Sequence, residues 1–556
     1  MANIDDRDRL RDMDGVIPWP AEFATRYRRA GYWQDRPLGT VIDDWAARFG
    51  TREALVVGEA RYSYRDLAER SADLARALAG RGLKKGDRVV VQLPNSAEFV
   101  LFVLALFRLG AIPVMALPAH RRHEISYLVD FAQARAYAIP DRLGDFDYQG
   151  LAHEVRAGAP GLADVFVAGE AVDADFRDLR ALLNEPVGDG PAPGGEPLDA
   201  GDVALFLLSG GTTGLPKFIP RTHNDYIYNF RASARLCGFD SKTVYMASLP
   251  VAHNFPLGCP GILGTFDVGG RVVLAPSPRA DVALPLIARE GVTATAAVPA
   301  IAIQWMDWPE LASVDLSALA LLQVGGARLN PEAARRITPT LGCKLQQVFG
   351  MAEGLLCYTR RDDVDEIIIN TQGRPLCADD EIRVVDEAGD PVASDAPGEL
   401  LVRGPYTVRG YYKADDHNAR AFNSDGFYRT GDIVRRDAIG NFIVEGRAKD
   451  LINRGGEKIS AEEIENLMLA HTDVQNVAAI AMPDPVLGEK VCAYVQPQPG
   501  ARLRLDDLRD FLLARGIARF KIPERLELIE RLPLTNIGKV DKKALRADIA
   551  AKLGVS

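Results

Sequence analysis

At 556 residues the chain is too long for one hydrophobic core, so a large unit and at least one smaller one are expected. Its 66 basic and 76 acidic side chains leave a net charge of -10, which disfavours a nucleic-acid partner. Six cysteines (Cys237, Cys259, Cys343, Cys357, Cys377, Cys492) show no Cys-x-x-Cys spacing, and the stretch from Met1 to Asp14 has no apolar leader core, so a cytoplasmic protein without a disulfide framework is expected.

From Leu38 to Ile139 helical and strand signals alternate. The patterns predict helices over 41–49, 64–81 and 97–109, and strands over 61–64, 88–93 and 112–116. The greasiest run, Phe99 to Leu117, is broken by Arg108, Gly110 and Pro113, so it reads as a buried helix turning into a strand and not as a membrane span. Alternation of this kind implies an α/β fold with mainly parallel, helix-covered sheets. A Pro-, Gly- and acid-rich connection over 184–201 leads into a buried strand at 203–206. Strand and helix signals resume at 271–274, 281–290, 293–299, 320–324 and 346–348, and short strands separated by Gly and Asp turns follow Gly398, as in a small β-rich subdomain. A charged segment at 446–450 marks a boundary, dividing the chain into 1–448 and a compact α+β unit over 449–556.

The strand at 203–206 runs into Leu207-Leu208-Ser209-Gly210-Gly211-Thr212-Thr213-Gly214-Leu215-Pro216-Lys217. Glycines let a backbone approach an anion, hydroxyls donate to phosphate oxygens, and a lysine adds charge. Neither a Walker A loop nor a Gly-x-Gly-x-x-Gly fingerprint occurs, and a Gly/Thr-rich turn alone is more often a plain connection than a nucleotide site. Further on, the strand ending Val348-Phe349-Gly350 can lay a ring beside a purine, and Glu353 can hold a divalent cation, although a solvated glutamate after a core strand is the plainer reading. Asp432 in Tyr428-Arg429-Thr430-Gly431-Asp432 reads as a carboxylate at a tight turn, a shape suited to two ribose hydroxyls. Lys539 follows Gly538, so a turn can carry a cation into a cleft.

In this order the motifs resemble those of the adenylate-forming superfamily: acyl-CoA synthetases, luciferases and carrier-protein adenylation domains. The resemblance implies ATP as co-substrate and Mg2+ as cofactor. It implies a phosphate loop at Ser209, Gly210, Gly211, Thr212, Thr213 and Lys217, with Gly326 and Phe349 flanking the adenine. Glu353 matches the metal-binding glutamate, Asp432 and Arg447 the nucleotide-binding pair, and Lys539 the adenylation lysine. It further implies a mobile C-terminal lid over 449–556, a hinge at Lys449, and passage of a pantetheine arm beside Gly455 and Gly456. Ala352 departs from the commoner threonine, which puts one phosphate contact in doubt.

The stretch Ala252-His253-Asn254-Phe255-Pro256-Leu257-Gly258-Cys259 resembles the acyl pocket of enzymes that adenylate 2-hydroxylated benzoates for siderophores and nonribosomal peptides. That resemblance implies that His253 gates the pocket, Asn254 meets the ortho-hydroxyl, Phe255 forms a ring wall, and Gly325, Ala327, Val348 and Leu356 line the remainder. Relatives that take 2,3-dihydroxybenzoate typically carry serine and valine where Cys259 and Leu356 stand, so salicylate is the expected acid. The expected acceptor is a phosphopantetheine thiol on a separate aryl carrier protein. Free CoA, as in a salicylate–CoA ligase, 2,3-dihydroxybenzoate as the acid, and phosphoryl transfer remain alternatives.

Overall fold

The computed structural model describes residues 13–185, 197–209, 216–447, 450–454, 457–484, 487–515, 517, 519–535 and 539–554. Among them the strands gather into a nine-stranded sheet, a seven-stranded sheet, a four-stranded sheet, a five-stranded sheet and one short hairpin. The nine-stranded sheet is parallel through its centre: Lys344–Gly350, Leu321–Gly325, Ala294–Ala297, Val244–Ala247, Arg271–Leu274 and Glu53–Val57 lie side by side, with antiparallel strands at both edges. The strand Glu53–Val57, absent from the sequence reading, is the parallel partner of Arg271–Leu274. Its apolar stretch is short and unalternating, so the signal for it lay in distant pairing.

The seven-stranded sheet holds Arg88–Val91 beside Ile112–Met115, and the latter beside Val203–Leu208. The helix Ala97–Leu109 that joins the first two is apolar almost all round because it is buried between the two large sheets. It starts on the Ser96 hydroxyl and stops at left-handed Gly110. A capping box of Ser63 with Asp66 starts the helix Tyr64–Gly80, and one of Thr222 with Asp225 starts the helix His223–Cys237.

That last helix covers one face of the nine-stranded sheet. Tyr245, Ala294, Leu321 and Val348 point towards it, while Met246, Leu322 and Val324 pack on the opposite face. The four-stranded sheet is antiparallel and begins earlier than its sequence signals, with Glu381–Val385 pairing Gly398–Arg403. The five-stranded sheet starts at Leu451–Arg454 and carries its own apolar core of Ile452, Ile464, Val491 and Leu508. The six cysteines are free and buried, and no helix of the described residues is long and apolar enough to cross a membrane.

Candidate active site

The short helix Asn254–Gly258 begins where His253 Nδ1 accepts the Phe255 N–H at 3.2 Å. This turn lays the Phe255 ring on the strand Leu321–Gly325. A Cβ on Gly325 would stand 3.1 Å from the ring and 2.8 Å from the Val348 carbonyl oxygen, so glycine is what permits the contact. Gly325 and Val348 are cross-strand partners, as are Gly350 and Leu356, and Gly350 lacks the Cβ that would meet Leu356 at 2.5 Å. Phe255, Gly325, Val348 and Leu356 therefore form one apolar wall. Gly326 turns the chain away with φ +81°, leaving it and Ala327 exposed.

Asn254 is buried, with its Oδ1 accepting from the Tyr226 hydroxyl at 2.9 Å and its Nδ2 lying 3.4 Å from Cys259 Sγ. Burial pushes the Cys259 thiol up to about 12, so it stays an S–H. Cys259 thus bears directly on the Asn254 amide, a contact absent from the sequence reading, which used the thiol only to favour salicylate. Behind it, the fully buried Arg221 pairs with Asp225 at 2.6 Å, donates to the Ala352 carbonyl at 2.9 Å and to Asn229 Oδ1 at 3.3 Å, and lies over the Tyr226 ring. Asn229 in turn donates to the Gly258 carbonyl at 2.6 Å. Sequence reasoning missed this cluster, because Arg221 belongs to the strand Phe218–Thr222 while Asp225 and Asn229, four residues apart, share a face of the helix His223–Cys237 that follows it.

At the opposite end, Glu353 sits in the turn after Lys344–Gly350 and is 8% exposed, which removes the reading of a solvated surface glutamate. Its Oε1 accepts from the Tyr411 hydroxyl at 2.6 Å, and Tyr411 meets the Tyr428 hydroxyl at 2.9 Å. Burial and the neighbouring carboxylate hold the Tyr411 phenol well above its usual range, so it remains the donor. Among the described residues Glu353 Oε2 has no hydrogen-bond partner, and a carboxylate with one oxygen anchored and one open suits Mg2+, which takes one or two carboxylates and leaves its other positions for phosphate and water. Gly354 must be glycine, because a Cβ there would stand 2.5 Å from Thr407 Cα.

Ser209 Oγ accepts the Lys217 N–H at 3.0 Å and Ser209 N–H donates to the Lys217 carbonyl at 2.9 Å, so the two ends of the segment expected to bind phosphate lie side by side. The Lys217 ammonium lies 5.8 Å from the Tyr411 ring centre. Gly210, Gly211, Thr212 and Thr213 lie outside the described residues, as do Lys449, Gly455 and Gly456. Asp432 is not at a turn. It lies inside the nine-residue strand Tyr428–Arg436, buried, with Arg447 as its cross-strand partner. Gly431, at φ +70°, provides the local irregularity that looks like a turn in sequence while the ladder continues. Phe349, half-buried, sets its ring edge-on to Phe442 at 6.5 Å.

Lys539 lies beside the antiparallel bridge of Leu534 with Val540, where its N–H reaches Thr535 Oγ1 at 3.2 Å and its carbonyl accepts from Thr535 N–H at 2.6 Å. Its charge is felt at His253, whose pKa burial and Lys539 together lower to about 4. The charge of Lys539, from the C-terminal unit, therefore bears on His253, the residue that opens the short helix Asn254–Gly258.

The AMP-binding enzyme family pattern matches residues 42–412, and that of the AMP-binding enzyme C-terminal domain matches residues 463–539. The chain belongs to this family. It is 56% identical over 545 residues to a salicylyl-CoA synthase / salicylate adenylyltransferase of a Streptomyces species, covering 97% of this chain and 98% of that one. It is 52% identical over 541 residues to a 2,3-dihydroxybenzoate-AMP ligase of Bacillus subtilis, covering 97% and 99%. The Mycobacterium smegmatis MbtA apo structure superposes with a TM-score of 0.74 at 45% identity, covering 96% and 98%. Within this AMP-binding enzyme, of the aryl acid–AMP ligase branch, Asp432 and Arg447 fall between the two matched stretches and Lys539 is the last residue matched.

Proposed function

We propose that this AMP-binding enzyme adenylates salicylate with Mg-ATP, releasing pyrophosphate, and passes the salicyl group to the phosphopantetheine thiol of a separate aryl carrier protein, chemistry that siderophore and nonribosomal peptide assembly use. One observation carries the choice of acid: a buried amide, Asn254, held on both sides by Tyr226 and Cys259 at the edge of the apolar wall of Phe255, Gly325, Val348 and Leu356. A flat ring suits that wall, and a single ortho polar group suits the amide. The name of the 56% identical relative supports salicylate, and the un-ionised Cys259 thiol, a weak hydrogen-bonding group, offers little to a 3-hydroxyl.

In the first half-reaction a carboxylate oxygen of salicylate attacks the α-phosphorus of ATP, and the bond to the bridging oxygen breaks as pyrophosphate leaves. Both reactants are anionic, so the Lys539 ammonium stabilises the transition state by charge alone. His253, held neutral at the pocket mouth, admits the ring without adding a proton. Glu353 would hold Mg2+, which supplies charge neutralisation on the phosphates. Ser209, Gly210, Gly211, Thr212, Thr213 and Lys217 are assigned to the phosphates, Gly326 and Phe349 to the adenine, and Asp432 with Arg447 to the ribose.

In the second half-reaction the thiolate attacks the acyl carbon and AMP leaves. For this step we assign 1–448 as the adenylation core and 449–556 as a lid that turns about Lys449 and opens a pantetheine path past Gly455 and Gly456. Free CoA in place of the carrier is the second reading, favoured by the CoA synthase name of the same relative.

The test is ATP–pyrophosphate exchange across a panel of aryl acids, followed by thioester formation with CoA and with a phosphopantetheinylated aryl carrier. Salicylate should support the fastest exchange. A higher specificity for 2,3-dihydroxybenzoate would move the enzyme to the activity named for the 52% identical relative, and exchange independent of any aryl acid would overturn the assignment.

A further inference from the structure

Asn254 can present either end of its amide to a ring substituent, and the two ends recognise opposite chemistries: Nδ2 donates and Oδ1 accepts. Tyr226 decides between them. Its hydroxyl is buried without exposure to solvent and, among the described residues, its proton has no acceptor other than Asn254 Oδ1, at 2.9 Å. Were the amide reversed, the Tyr226 hydroxyl would face an N–H and its own proton would be left unpaired in the core, an expensive arrangement. The thiol of Cys259, 3.4 Å from Nδ2, is too weak a partner to oppose this choice.

The tyrosine is itself fixed. The Arg221 guanidinium lies 4.9 Å from its ring centre and is pinned by Asp225 and by the Ala352 carbonyl, while a Cβ on Gly258 would stand 2.8 Å from the hydroxyl, so only glycine leaves it room.

We propose that Tyr226 is a positioning residue that sets the enzyme's choice between ortho-hydroxy and ortho-amino aryl acids, by locking the Asn254 amide with an N–H towards the substrate. This rests on the reading that Asn254 meets the ortho substituent of an aryl acid. The 2-hydroxyl proton of salicylate is held by its own carboxylate, which leaves the phenolic oxygen to accept a hydrogen bond, and the locked N–H supplies one. In anthranilate one amino hydrogen goes to the carboxylate, the second points outward as a donor, and the nitrogen lone pair is delocalised into the ring. Two donors then face each other, so the ortho-amino acid is rejected.

Specificity constants for ATP–pyrophosphate exchange with salicylate, anthranilate and benzoate should be measured for the wild type, Tyr226→Phe and Asn254→Asp. In Tyr226→Phe the amide is free to turn, so salicylate should lose roughly tenfold against anthranilate and also lose against benzoate, with the change in KM more than in kcat. Asn254→Asp presents acceptors only and should shift the preference towards anthranilate in the same direction. An equal loss for all three acids in Tyr226→Phe, a general effect on packing, would overturn the proposal. If Tyr226→Phe does not fold, Asn254→Asp decides, and an unchanged salicylate-to-anthranilate ratio there overturns it. A wild type that ignores every aryl acid sinks the parent reading and this proposal together, whereas a salicylate-preferring wild type with static variant ratios sinks only the role of Tyr226.

Discussion

The two ends of the site are built differently. At the aryl end every polar group is already held by a neighbour: Asn254 between Tyr226 and Cys259, Asn229 on the Gly258 carbonyl, and Arg221 between Asp225 and the Ala352 carbonyl. These contacts come from one helix, one short turn and the adjoining sheet, all deep in the core. At the end proposed to hold the phosphates, Glu353, Asp432, Lys217 and Lys539 arrive from four separate elements in two units of the chain, and of these four Glu353 and Asp432 are buried. Selection of the acid needs a pre-shaped and dry recess. Charge neutralisation needs cations that can approach two anions and withdraw again. The buried Arg221 joins the two ends, since the carbonyl it holds belongs to Ala352, beside Glu353.

The difference predicts that substitutions at the phosphate end act on rate and those at the aryl end act on choice. Lys539→Ala carries the largest expected effect. Adenylation should fall a hundredfold or more, about 3 kcal/mol of transition-state stabilisation, while thioester formation from supplied salicyl-adenylate largely persists. Single-turnover measurements of the two half-reactions check this, and exchange at the wild-type rate would rule the lysine out. Glu353→Gln should follow, slowing exchange roughly tenfold or more at ordinary Mg2+ and recovering part of the loss as Mg2+ rises, because a neutral amide is a weaker cation ligand. A Mg2+ titration of initial rates checks it. No dependence on Mg2+ concentration would place the metal on another residue.

Cys259→Ser should be smaller and different in kind. Serine can both donate and accept, so the ratio of 2,3-dihydroxybenzoate to salicylate specificity should rise by about fivefold, within the range expected for one buried hydrogen bond. An unchanged ratio would mean that the thiol bears on Asn254 alone. The smallest effect lies between the two ends, at His253. Its folded pKa of about 4 lies below its ordinary value, so the imidazole is neutral from pH 5 to 8 and the rate profile should show no His253 limb there. The sign for stability follows: the unfolded chain binds the proton first, so the contribution is present above about pH 6.5 and is lost as pH falls towards 4. Removing the Lys539 charge should move the His253 titration upward, observable by NMR. No movement would show that the lysine does not stand over His253 in solution.

Much of this was legible in the sequence for a physical reason: it is local. The helix Ala97–Leu109 is written in a continuous apolar run with Ser96 before it and Gly110 after it, and the strand Arg271–Leu274 in four residues bounded by Gly270. The order Ser209, Asn254, Glu353, Asp432, Lys539 and the likeness of each surrounding stretch to a known family were equally open to reading, since phosphate, metal and carboxylate chemistry each demand particular residue types. Other features lay beyond it, because they depend on which residues meet across long separations. Asp432 looks like part of a turn until the pairing of Tyr428–Arg436 with its neighbours is known. In isolation Glu353 reads as readily as a solvated glutamate, and its burial comes with neighbours far along the chain, among them Tyr411, 58 residues later, which donates to its carboxylate. The polarity of the Asn254 amide depends on a tyrosine 28 residues upstream, and that tyrosine's place depends on a glycine and on a buried ion pair. Sequence alone therefore determined the reaction family and the residue types at each end, whereas tertiary packing decided which atoms of those residues are free to act, because a buried hydrogen bond made on one side of a group removes that side from use.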